Sequence, residues 1–163
     1  MSSLSGINHV TFLTADMDRL AAFYEDVFGA RRIMELPVPE HNGRHALIEI
    51  GSGATLHPFE LPRIEPPQPQ PMFARGRTDH FALNAPDAET FESLRSRLLE
   101  RGVTDGEITD FGVLRVLTFT DPDGHTVELA HWVGGADPAS LDMSQASDDD
   151  LIKRQQERAH RDG

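Results

Sequence analysis

The 163-residue chain is 38% hydrophobic, which suits one domain or two small modules that share a core without staples. It contains no cysteine, so disulfide frameworks, thiolate nucleophiles and Cys-type zinc sites are excluded. A formal net charge of −12 argues against nucleic acid and anionic membrane surfaces, and it favours a small-molecule substrate.

No basic stretch followed by an apolar run opens the chain, and no segment is long enough to span a membrane, so a cytoplasmic location is expected. After a short lead, Ile7 to Thr14 reads as a strand, with Val10 and Phe12 on one face and His9, Thr11 and Leu13 on the other. Asp16 or Asp18 caps a helix to about Phe28, carrying Leu20, Phe23, Tyr24 and Val27 at helical spacing, and Gly29 ends it. Strands are expected near Ala30 to Leu36, from Arg44 to Ile50 beyond the His41-Asn42-Gly43 turn, and from Ala54 to Leu61. The last carries His57 on the face of Thr55 and Phe59. Residues 1–61 thus form a β-α-β-β-β module.

Residues 62–76 are proline-rich, with Pro66 to Pro71 expected as extended polyproline II, the composition of a linker. A second module, 77–133, opens on Asp79-His80-Phe81-Ala82-Leu83. Asp87 caps a helix that buries Phe91, Leu94, Leu98 and Leu99, and Gly102 stops it. Strands follow near Gly106 to Asp110 and from Val113 to Thr120. Asp121-Pro122-Asp123-Gly124 is a turn, since Pro presets φ and Gly accepts φ > 0. The final strand then sets Val127 and Leu129 on one face, Thr126, Glu128 and Ala130 on the other. An acid on an inner face must be paired, bound to a metal or solvated in a cavity. Residues 134–163 read as a polar tail, with a short charged helix expected from Leu151 to His160.

The two modules repeat. A shift of 71 residues lays Asn8-His9 on Asp79-His80 (80 − 9 = 71) and His57 on Glu128 (128 − 57 = 71). It also lays Asp16 on Asp87, Gly53 on Gly124 and Thr55 on Thr126. One strand histidine alone is best read as a hydrogen-bonded structural residue. Four polar positions on one offset favour a shared site.

Asn8-His9-Val10, Phe23-Tyr24 with Phe28-Gly29, Asp79-His80, and Asp121-Pro122-Asp123-Gly124 followed by Val127-Glu128-Leu129 together resemble the vicinal oxygen chelate superfamily. That superfamily includes glyoxalase I, extradiol ring-cleavage dioxygenases, methylmalonyl-CoA epimerase, fosfomycin-resistance enzymes and bleomycin-binding proteins. The resemblance covers about Gly6 to Val133. It implies an α+β fold of two βαβββ half-barrels around a metal cavity. It also implies His9, His80 and Glu128 as metal ligands, and homodimers are common among its members. Two imidazoles and a carboxylate suit Fe(II) or Mn(II), with Zn, Ni or Co as alternatives. The chemistry implied is chelation of two vicinal oxygens of a small substrate.

His57 occupies the fourth position. Extradiol dioxygenases place an acid–base histidine there, and glyoxalase I a carboxylate ligand, so the resemblance leans toward a ring-cleavage dioxygenase with His57 as the catalytic group. A glyoxalase- or epimerase-type lyase or isomerase, with His57 as fourth ligand, is the runner-up; a metal-free binding protein is the third reading. One departure stands out: the tyrosine that dioxygenases usually carry on the preceding strand corresponds here to about Thr118. Substrate-binding residues are not legible. Arg44 and Arg115 lie on strands that could meet an anion or solvent; His45 and His131 flank expected cavity strands with structural roles favoured; Trp132 shares Glu128's strand face, as a pocket wall or as core packing. His41, His125 and His160 read as surface residues, and Tyr24 and Phe28 as helix-face core.

Overall fold

The computed structural model describes residues 3–65, 70, 73–74 and 78–136. The expected linker is therefore described only at 62–65, 70 and 73–74, and the expected tail only at 134–136; the polyproline stretch, apart from Gln70, and the 151–160 helix lie outside the described residues. The chain divides into two compact units. Among described residues, one comprises 3–65 with 121–124, and the other the remainder from 70 to 136.

The first unit runs β1 (His9–Thr14), α1 (Met17–Phe28), β2 (Arg31–Val38), β3 (Gly43–Glu49) and β4 (Thr55–Glu60). Its sheet has the order β1-β4-β3-β2, with β1 parallel to β4 and the other pairs antiparallel. Asp16 accepts from the Arg19 N–H at 3.0 Å and caps α1. Gly29 ends the helix at φ 69°, a left-handed conformation that a side chain would strain. The helix buries Met17, Leu20, Phe23, Tyr24 and Val27, while the sheet contributes Ala46, Ile48 and Leu56 to the same core. Ile7 lies outside the first strand and is 71% exposed.

The second unit repeats this with β5 (Phe81–Asn84), α2 (Ala88–Glu100), β6 (Ile108–Asp110), β7 (Leu114–Thr120) and β8 (Thr126–Trp132), ordered β5-β8-β7-β6. Asp87 caps α2 by accepting from the Thr90 N–H at 2.7 Å. Phe91 and Leu98 pack with Leu117, Phe119, Val127 and Leu129 in the core. Two βαβββ units in one α+β chain is the architecture expected from the sequence.

The repeat extends to register. Val10 pairs Leu56 and Thr11 pairs His57 in the first unit; Phe81 pairs Val127 and Ala82 pairs Glu128 in the second. Each pair is displaced by 71 residues at both partners (81 − 10, 127 − 56, 82 − 11, 128 − 57). A one-residue slip would turn every side chain to the opposite face, so matched register preserves which residues look away from the helix.

Candidate functional site

In each unit the helix covers one sheet face, and the sequence-predicted site residues lie on or beside the other. The period-2 alternation of β4 sends Leu56 and Pro58 into the core and leaves His57 and Phe59 half-buried on the open face. Antiparallel pairing sets His45 of β3 opposite Phe59. His45 Nδ1 lies 2.8 Å from His57 Nε2, a hydrogen bond between imidazoles. Phe59 stacks on His45 at 4.9 Å between ring centroids and tilts against His57 at 4.7 Å. His9, exposed at the start of β1, meets His57 edge-on at 5.5 Å. Burial depresses the His57 pKa below its ordinary 6.5, and the neighbouring His45 and His9 add to the effect. This ring is therefore a neutral imidazole near pH 7.

In the second unit Glu128 is buried on β8, and its Oε2 lies 3.7 Å from Nε2 of His80. Two donors each about 2.1 Å from one divalent ion stand about 3–4 Å apart, so this separation fits a shared ion. Strand β5 begins at Phe81, so His80 immediately precedes it. Thr118 lies directly across from Glu128 on the neighbouring strand, the place where the dioxygenase pattern carries a tyrosine.

The residue before each predicted ligand performs the same service in both units. Asn8 Oδ1 lies 2.8 Å from His9 Nδ1, and Asp79 Oδ2 lies 2.9 Å from His80 Nδ1. An oxygen acceptor at Nδ1 fixes the proton there and leaves the Nε2 lone pair outward, the tautomer a metal-binding histidine needs. In the sequence Asn8 and Asp79 stand out as repeat markers and as part of the motifs that carry the resemblance; the signal for their role is their position one residue before each histidine. Within the second unit, the His80 imidazole and the Glu128 carboxylate are donors whose chemistry suits a divalent cation. The structure places His9 and His57 together in one unit, His80 and Glu128 together in the other. Among the described residues no group of three or more His, Asp and Glu side chains is arranged to hold a metal ion.

Other candidates resolve into structural roles. Arg44 is committed to carboxylates, donating to Glu60 at 2.9 Å, Asp18 at 2.9 Å and Glu35 at 3.1 Å, and these bonds raise its pKa. Hydrogen bonds from Arg32 and Arg44 in turn hold the Asp18 and Glu35 carboxyls below their usual range. Arg115 pairs with Asp110 at 3.0 Å. Neither arginine is a free anion holder. His131 is buried beside Phe91 with Nδ1 3.4 Å from the Ala85 carbonyl, a structural placement. His41 is exposed, as expected; His125 is half-buried, because its turn is packed down rather than projecting; His160 lies outside the described residues.

That turn, Asp121-Pro122-Asp123-Gly124, belongs to the first unit and does more than reverse the chain. The Gly124 N–H donates to the Asp121 carbonyl at 3.0 Å with Gly124 at φ 84°. Asp123 is 2% exposed and accepts from Arg19 Nη2 at 2.8 Å and from the Ala15 N–H at 3.2 Å. Tyr24, fully buried, donates to Asp121 at 3.4 Å; burial and then the Asp121 and Asp123 charges raise its pKa well above 10.0. Tyr24 is thus core, as expected, with its hydroxyl committed.

Several known proteins are similar to this chain. The putative ring-cleaving dioxygenase MhqA of Bacillus subtilis is 28% identical over 132 residues, covering 77% of this chain and 40% of MhqA. This chain therefore spans well under half the length of that relative. The metallothiol transferase FosB of Lysinibacillus sphaericus is also 28% identical over 132 residues, covering 78% of this chain and 82% of FosB. The crystal structure of the fosfomycin resistance protein FosX from Listeria monocytogenes, complexed with Mn(II) and sulfate, shares the fold at a TM-score of 0.59. Its identity is 21%, over 80% of this chain and 95% of FosX. Residues 6–129 match the family model, and the chain belongs to the glyoxalase/bleomycin resistance protein/dioxygenase superfamily.

Proposed function

We propose that the protein is a metal-dependent enzyme acting on a small substrate with vicinal oxygens, and that its reaction is extradiol-type ring cleavage. His9, His80 and Glu128 are the ligands in this reading and His57 is the catalytic acid–base group. The metal is Fe(II) or Mn(II), which this nitrogen and oxygen donor set suits, with Zn, Ni or Co as alternatives. Mn(II) in the FosX complex and the metal in the name of FosB support a divalent ion. When bound, such an ion polarises the two substrate oxygens. His57 receives a proton from a substrate hydroxyl and returns it to the product.

The observation that carries the reading is the environment of His57: a neutral imidazole, half-buried on the open face, at the register position that Glu128 holds in the other unit. Its Nε2 is engaged by His45, which suits a proton carrier better than a fourth ligand. A homodimer in the cytoplasm is the proposed working form. The test is anaerobic loading with Fe(II), then a catechol panel under O₂. Yellow ring-opened products are expected, together with melting that a chelator lowers. No product from any catechol, with metal bound, removes ring cleavage.

One observation favours a second reading. The match takes in 82% of FosB but only 40% of MhqA, so the likeness covers most of a metallothiol transferase and supports a metal-dependent thiol transfer. Turnover that requires an added thiol and survives without O₂ selects it.

A further inference from the structure

The sequence favours a structural role for His45, and the repeat gives no reason for an imidazole at that place. Its counterpart 71 residues on is Val116, 3% exposed, opposite Ala130 where the first unit has Phe59. The scaffold therefore builds the same strand pair without it. In the first unit, however, His45 Nδ1 stands 2.8 Å from His57 Nε2, with Phe59 packed against both rings. Among the described residues the His57 ring makes no other hydrogen bond.

We propose that His45 is the positioning residue for His57, holding its Nε2 edge so that Nδ1 is the one nitrogen offered to substrate. An imidazole whose second nitrogen is held by a fixed partner keeps one orientation. A free ring can rotate about χ2. The hydrogen bond across β3 and β4 removes that freedom and ties the His57 tautomer to that of His45, and the Phe59 face blocks rotation sideways. The pair also excludes binding of an ion through His57 Nε2 without first breaking its bond to His45. The inference rests on the acid–base reading of His57, but its first test does not need turnover.

That test is nitrogen-15 NMR of the His57 ring in the full chain at a pH where it is neutral. In the wild type His57 Nε2 reports a hydrogen bond to the His45 nitrogen; in His45→Leu that signature is gone and Nε2 reports a solvent-exposed imidazole nitrogen. His45→Asn places an amide near the lost Nδ1 and returns the Nε2 shift toward that of the wild type. Identical His57 spectra in wild type and His45→Leu overturn the proposal, whatever the reaction turns out to be. Where turnover has been found, His45→Leu lowers kcat about 10- to 100-fold with KM unchanged, and His45→Asn recovers most of the loss. A fall in KM and kcat together, with equal loss in both variants, also overturns it. Expected spectra with no turnover on any panel leave the positioning intact and reject the reaction.

Discussion

The two units share strand order and register but use the same positions differently. On the open face of the first sheet, His45, His57 and Phe59 form a half-buried group of rings. The equivalent residues of the second are Val116, Glu128 and Ala130, all buried. The repeat keeps the places from which a side chain leaves the sheet, with imidazole rings in one copy and a carboxylate in the other. The residues ahead of His9 and His80 differ less, an amide at Asn8 and a carboxylate at Asp79, each accepting from Nδ1.

The comparison can be broken most severely by removing the donor in the second unit. Glu128→Ala abolishes stoichiometric metal, read by elemental analysis, and takes activity to background. His57→Ala, the equivalent place in the first unit, keeps its metal and lowers kcat by about 10²–10⁴-fold. Equal metal loss in both variants makes His57 a ligand and erases the division of labour.

The preceding residues should follow next. Asp79→Ala weakens metal affinity by about 10–100-fold, as loss of an outer partner does. Asn8→Ala costs less, because a charged acceptor holds an imidazole N–H more strongly than a neutral one. Competition with a chelating dye measures both. Arg19→Ala strands the Asp123 carboxylate, 3% exposed, with only the Ala15 N–H still donating to Oδ1. Chemical denaturation should show a loss of about 2 kcal/mol, moderate because Arg19 itself is 46% exposed.

The smallest effect concerns pH. The folded-state pKa of His57 is depressed below 6.5, so between that folded value and 6.5 the unfolded chain binds the extra proton. The stability contributed by the neutral ring is complete above 6.5 and is lost as pH falls toward the folded value. Unfolding midpoints compared at about pH 8 and about pH 5.5 should therefore drop further for the wild type than for His57→Gln. Equal drops show that the ring is not desolvated.

By itself the sequence determined the doubled architecture, the Asp87 cap, a choice of Asp16 or Asp18 for the other cap, the turn at Asp121-Pro122-Asp123-Gly124 and the faces carrying His57 and Glu128. These follow from local rules: period-2 alternation, Asp at a helix start, Pro-Asp-Gly geometry, and one constant offset between copies. Only the tertiary structure decided what those side chains meet. Cross-strand pairing put His45 on His57, which no spacing along the chain announces, and packing spent Arg44 on Glu60, Asp18 and Glu35. It likewise buried Asp123 under Arg19, 104 residues away in the chain. Such contacts depend on how strands and helices are brought together, which local propensity does not encode.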